Sequence, residues 1–285
     1  MRILCAQALL AAAAVSLAAC ASRPAARTPA PEASVRAGAA VFRSPREIEL
    51  PFVVAVANPR ATSIRIESAE CTLEVQGLAS PLEASCLRGA TVEGGGSVES
   101  PIVFEVDARG LDGRVGGAGG PASAACRLQA AVSLVAPDGG RLVAAAEAEC
   151  SFPIVREPLF RIMSIRIERD LLVVTSLRLG LEIENPNAFP VELRALSYGF
   201  YGEGKLWADG GSEAPFAVPA GEMRELGLRF EMNFANVDRR LFDLVANLGT
   251  VRYRLTGAAS VATGEGFLPA FETRFEREGS CLVER

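Results

Sequence analysis

The chain has 285 residues, 29 basic and 34 acidic side chains, a formal net charge of −5 and no histidine. An acidic balance argues against a nucleic-acid partner. Without histidine the chain cannot build a Ser-His-Asp triad, a Cys-His dyad, a carbonic-anhydrase-like zinc site or a facial-triad iron site.

The chain opens on Met1-Arg2 and an apolar run from Ile3 to Val15 that is too short to span a bilayer. The run closes on Leu17-Ala18-Ala19-Cys20, the pattern of a bacterial lipobox. Residues 1–19 are therefore expected to leave as a signal peptide, with Cys20 becoming the acylated N-terminus. Several acyl chains, each buried methylene worth about 0.8 kcal/mol, hold a soluble body at a membrane without a transmembrane helix. Ala21 stands where an Asp often retains lipoproteins at the inner membrane, which favours the outer membrane and its periplasmic side. Processing would leave 28 basic and 34 acidic side chains. Residues 20–45 read as the lipidated cysteine and a disordered tether rich in Ala, Pro, Arg and Ser, with a reach of roughly 25 to 30 Å.

The rest of the chain shows an internal repeat. Asn58-Pro59 and Asn185-Pro186 lie 127 residues apart and each ends an apolar alternating stretch. At the same offset Cys71 falls on Tyr198, and Leu128 to Leu134 falls on Leu255 to Val261. Period-two runs at Phe52–Val56, Leu179–Ile183, Leu226–Phe230 and Val251–Leu255, divided by Gly, Pro and Asn turn signals, predict short strands and two tandem β-sandwiches over 46–155 and 156–278. Proline removes an amide donor and holds the preceding Asn extended, so each Asn-Pro step stops a strand and redirects the chain. The short linker at Pro153–Pro158 allows no free tumbling. One helix is expected, Asn236 to Leu248, with Asn236 as its N-cap and Gly249 just past its end. The matching stretch of the first half, Gly110 to Ala125, reads as a flexible loop.

Seven cysteines are present. Cys5 leaves with the signal and Cys20 is lipidated, so Cys71, Cys86, Cys126, Cys150 and Cys281 remain in an oxidising space. A hairpin turning at Pro137-Asp-Gly-Gly140, paired about Asp138, sets Leu134 opposite Leu142 and Cys126 opposite Cys150. A similar turn around Leu78 brings Cys71 towards Cys86. The favoured bridges are 71 with 86 and 126 with 150, buried free thiols being the other reading. Cys281 is left over, either free or pairing between chains.

Candidate chemistry is sparse. Gly199-Phe-Tyr-Gly-Glu-Gly204-Lys205 has the spacing of a phosphate-binding loop, but Leu206 stands where the magnesium-binding hydroxyl belongs, and a hairpin turn is expected instead. Glu182 and Glu184 share one strand face without a cleft to perturb them. The four cysteines of the first half lack the close pairs of a zinc site. No catalytic residue, metal or cofactor is expected.

The second half, from Leu179-Gly-Leu-Glu-Ile-Glu-Asn185-Pro186-Asn187-Ala-Phe-Pro190-Val-Glu-Leu193 through Tyr198 to Gly204 and the strand pair beyond, resembles the water stress and hypersensitive response domain of the LEA type 2 family. The resemblance covers about 160–275 and, more weakly, 46–155, where Arg60 replaces the second Asn and the helix is missing. It implies a fibronectin III- or immunoglobulin-like all-β sandwich, no enzymatic activity, and a role in desiccation or osmotic stress; it also implies that bacterial members are often lipoproteins. The expectation is an envelope lipoprotein, stress-protective or structural, held to the membrane by its lipid and contacting other envelope proteins. The alternative is a binding module, an adhesin or a carrier of an apolar ligand.

Overall fold

A computed structural model describes residues 29–111, 121–169, 174–233, 239–264 and 266–284. The signal segment, Cys20 and Asn236 lie outside the described residues.

The first sandwich comprises β1 (Glu32–Ala37), β2 (Val41–Phe42), β3 (Glu47–Ala57), β4 (Ile64–Val75), β5 (Leu82–Cys86), β6 (Thr91–Val92), β7 (Ser97–Asp107), β8 (Ser123–Val135) and β9 (Arg141–Pro153). One sheet has β3 at its centre, with β7 along one edge and β1 and β2 sharing the other. The second sheet runs β5–β4–β8–β9, with β6 beside β5 on β4. The alternation of β3 explains why it centres a sheet. Ile48, Leu50, Phe52, Val54 and Val56 all point inward and are buried; the first four share a core with Leu73, Leu128 and Phe152 of the facing sheet, and Val56 shares one with Ile66 and Leu134.

The second sandwich comprises β10 (Leu159–Arg169), β11 (Val174–Glu184), β12 (Val191–Gly202), β13 (Lys205–Ser212), β14 (Phe216–Val218), β15 (Met223–Asn233), helix α1 (Arg239–Ala246), β16 (Thr250–Thr263) and β17 (Phe271–Glu284). Its pairings follow those of the first in the same order. Strand β10 lies on β11, β11 on β15, and β12 between β13 with β14 and β16, with β17 beyond. The registers agree at the residue level: Ile64 faces Val92 as Val191 faces Val218, and Cys71 faces Ala130 as Tyr198 faces Gly257. Leu128 and Leu255 are both fully buried. In the second sandwich the two sheets are also joined at an edge, by a short parallel pairing of Ile165 with Val283 and Arg166 with Glu284.

The structure corrects three expected boundaries and places the expected helix within its span. The segment expected to be a tether to residue 45 contains β1 and β2, because Ala33 and Val35 reach inward while the backbone pairs with β3. Strand β17 runs on to Glu284, past the expected boundary at 278, and takes Cys281 into the core. The helix described is Arg239–Ala246, and the residue in the left-handed conformation after it is Leu248 (φ 54°), with the Gly249 amide donating to the Leu244 carbonyl at 2.8 Å. The Leu248 side chain packs against the core, which holds a non-glycine residue at that position. Finally, a 3-10 turn at Ala108–Leu111 and strand β8 from Ser123 occupy both ends of the loop expected over Gly110 to Ala125.

Candidate functional site

The motif residues converge at one end of each sandwich. Asn58 and Asn185 follow β3 and β11, and both side chains are essentially without solvent exposure. The Nδ2 of Asn58 donates to the carbonyls of Thr62 (2.8 Å), Val92 (3.1 Å) and Glu93 (3.2 Å). The Nδ2 of Asn185 donates to the equivalent carbonyls of Phe189 (2.8 Å), Val218 (3.1 Å) and Pro219 (3.0 Å). Each Oδ1 accepts from the backbone amide two residues on, Arg60 in one case and Asn187 in the other. Only a carboxamide offers donors and an acceptor together in so small a side chain. Pro59 and Pro186 follow at positions that need no amide donor.

Asn187 extends this hub in the second sandwich. Its Oδ1 accepts from the Arg156 amide (2.7 Å) and its Nδ2 donates to the Arg156 carbonyl (2.9 Å), clasping the linker. At the matching place in the first sandwich Arg60 Nε donates to the Pro29 carbonyl at 3.1 Å. The asparagine end of the second sandwich docks onto the first. Phe267, in the β16–β17 connection, meets Phe42 and Phe189 edge-on with centroids 5.1 and 5.0 Å away, and Leu268 is buried within the core of the first sandwich. Glu157 ties the contact together, pairing with Arg46 at 3.0 Å and accepting from the Thr273 hydroxyl at 2.9 Å. Sequence reasoning missed this plug. Its signal is an apolar Phe-Leu pair in a connection where the first half has the short run Ala136-Pro137-Asp138-Gly139-Gly140.

Cys126 and Cys150 are bridged, with Cα atoms 5.1 Å apart, on directly paired positions of β8 and β9. Leu134 faces Leu142 in the same hairpin, as its turn predicts. The expected Cys71–Cys86 bridge is absent, and both are free thiols. In the β4–β5 register Cys71 faces Ala84 and Cys86 faces Ala69, so the two are diagonal neighbours, where Cα atoms lie roughly 7 to 8 Å apart. Burial, with help from the Cys86 and Glu70 charges nearby, pushes the Cys71 thiol up to about 12. Burial likewise raises Cys86, against a hydrogen bond from Cys71 that favours its thiolate. Cys281 is a buried free thiol, raised to about 11 by desolvation.

Cys71 and Cys126 lie in adjacent strands but four rungs apart, about 13 Å, so the four cysteines of the first sandwich do not converge. Among the described residues no group of three or more His, Cys, Asp or Glu could hold a metal ion. Gly199–Lys205 is the β12–β13 hairpin, turning on Glu203 and Gly204, both at positive φ (51° and 80°). The Glu182 carboxylate is held by Arg161, and Glu184 faces Leu159 and Met223 on an open strand surface. Two troughs, of about 540 and 600 Å³, lie on outer sheet faces, lined by residues such as Thr72, Gln129 and Glu147 in one and Ser197, Ser260 and Glu272 in the other.

No curated protein matches the chain. Among solved structures, a protein from Archaeoglobus fulgidus is 15% identical over 45% of this chain and 96% of its own, with a TM-score of 0.27. A bacterial adhesin from Mobiluncus mulieris with intramolecular disulfide, isopeptide and ester cross-links is 9% identical over 79% of this chain and 80% of its own, with a TM-score of 0.30. The sequence model of the Late embryogenesis abundant protein family LEA_2 matches residues 180–279, from mid-β11 to mid-β17, a span that includes the Asn185 hub. The resemblance of the second sandwich to the late embryogenesis abundant LEA_2 family is thus shown over residues 180–279.

Proposed function

We propose that this protein is a lipid-anchored envelope protein in which both sandwiches are LEA_2 domains, and that it acts in desiccation or osmotic stress through its surfaces and not through a reaction. The observation that carries this reading is the recurrence of the asparagine hub. The matched domain and the first sandwich each place one buried Asn on three carbonyls at equivalent positions, 126 or 127 residues apart. That detail supports a duplicated domain more strongly than the shared β architecture does, because sandwiches of many origins share strand order.

On this reading Cys20 carries the acyl chains and the two docked sandwiches stand as one unit at the membrane. Cells lacking the gene lose survival after drying or an osmotic upshift and regain it when the gene is restored. Survival equal to that of the parent strain would contradict the proposal.

A further inference from the structure

Cys71 of β4 and Cys86 of β5 point to the inner face of one sheet and pack on the core of the first sandwich, Cys71 buried and Cys86 half-buried. Cys71 faces Ala84 and Cys86 faces Ala69, so the two thiols are diagonal neighbours on that face. The Cys71 thiol and the Ser100 hydroxyl of β7 both lie within hydrogen-bonding reach of the Cys86 sulfur. Strands β5 and β7 are edges of the two facing sheets and run past one another on the open side of the sandwich. Cys86 and Ser100, both half-buried, therefore stand where solvent meets the core. The architecture itself does not require thiols here. In the second sandwich Tyr198 faces Gly210 where Cys71 faces Ala84, and Ser212 faces Leu196 where Cys86 faces Ala69. Leu226 faces Leu181 where Ser100 faces Val54.

We propose that Cys71 and Cys86 form a two-coordinate site for a soft monovalent cation, copper(I), an inference that uses neither the lipid anchor nor the stress role. The spacing supports it. A disulfide draws its sulfurs to about 2 Å and needs Cα atoms within about 6.8 Å, whereas a diagonal pair has them roughly 7 to 8 Å apart. An ion held at about 2.3 Å from each sulfur, as thiolates hold zinc, sets the sulfurs up to about 4.6 Å apart and suits the wider pair. The donor set narrows the ion. Thiolates select copper(I), zinc and iron–sulfur clusters, and zinc and the clusters take four ligands. Among the described residues no group of three or more His, Cys, Asp or Glu could hold a metal, so the ion is one that two thiolates satisfy. Binding is a substitution without oxidation or reduction. The two S–H bonds break, two sulfur–copper bonds form, and two protons leave to solvent. The complex carries one negative charge, which the Ser100 hydroxyl beside Cys86 stabilises. Glu70 opposes that charge from the exposed outer face of β4, where water screens it.

The test uses the full chain carrying Cys5→Ala, Cys20→Ala and Cys281→Ala, which leaves Cys71 and Cys86 as its thiols and keeps the Cys126–Cys150 bridge. Copper(I) is supplied under argon as its acetonitrile complex, without a thiol reductant, in competition with the chromophoric chelator bicinchoninate. The expected result is one copper(I) per chain withheld from the chelator, with X-ray absorption showing two sulfur neighbours. Cys86→Ser, at a half-buried position whose equivalent is Ser212, is expected to keep the fold and to weaken binding by roughly 100-fold or more, since even the outer partners of metal ligands are worth about 10- to 100-fold. Cys71→Ala gives a second variant with the same expected loss, and far-UV circular dichroism checks the β content of both. A parent chain that yields all its copper to the chelator, with both thiols counted free in guanidinium, would overturn the site. So would copper held equally by Cys86→Ser, or bound through nitrogen and oxygen alone.

Discussion

Asn185 sits where three backbone carbonyls of its domain point at one buried carboxamide, and its Oδ1 also accepts from both nitrogens of Asn187. Asn185→Ala leaves those carbonyls buried without a donor, at a cost of about 2 to 4 kcal/mol. Urea denaturation of the variant should show that loss, and a change within a few tenths of a kcal/mol would mean that water replaces the side chain. The thiols give a second prediction at this scale. An unfolded cysteine titrates near 9.0, whereas Cys71 is raised to about 12 and Cys281 to about 11 by burial. Because the folded values lie above the unfolded one, the contribution of these neutral thiols is whole below pH 9 and is lost as pH climbs from 9 towards 11 and 12. Stability in a pH series is expected to fall above pH 9, and less steeply in Cys71→Ala. Asn58 and Asn185 announce themselves in the sequence through the prolines that follow. Their carbonyl partners do not, since Val92 and Val218 come from distant strands that only the fold brings near.

At the scale of the element, the β8–β9 hairpin and the β4–β5 hairpin behave differently for a physical reason. The four-residue turn Pro137-Asp-Gly-Gly140 pins its strands into one register, and that register puts Cys126 on Cys150. The connection from Gln76 to Pro81 is longer and sets no register by itself, so the sequence leaves the Cys71–Cys86 offset open. Reducing the Cys126–Cys150 bridge, which joins residues 24 apart, is expected to destabilise the first sandwich by about 3 kcal/mol. Calorimetry with and without reductant reads that loss as a lower unfolding temperature, and an unchanged temperature would contradict it. Strand β1 was illegible for the opposite reason. Its own residues carry a weak alternation, with only Ala33 and Val35 inward, and it forms because the strongly patterned β3 offers a free edge.

Over the whole molecule, the two sandwiches are joined by a linker, the Asn187 clasp on Arg156 and the Phe267-Leu268 plug. Leu268→Asp puts a charge into the core of the first sandwich and is expected to split thermal unfolding into two separate transitions while each sandwich keeps its β content. A single transition at the original temperature would show that the plug does not couple them. The same arrangement leaves the asparagine end of the first sandwich facing the incoming chain, with Arg60 on Pro29 and a short polar turn in place of the plug. One end of the body is therefore fitted to receive the N-terminal segment. The central claim, that Cys20 fixes this body to a membrane, is tested most directly by radiolabelled palmitate incorporation into the wild-type protein and Cys20→Ala, followed by membrane fractionation. The account predicts label and membrane recovery for wild type and loss of both for the variant, and equal labelling of the two would contradict it.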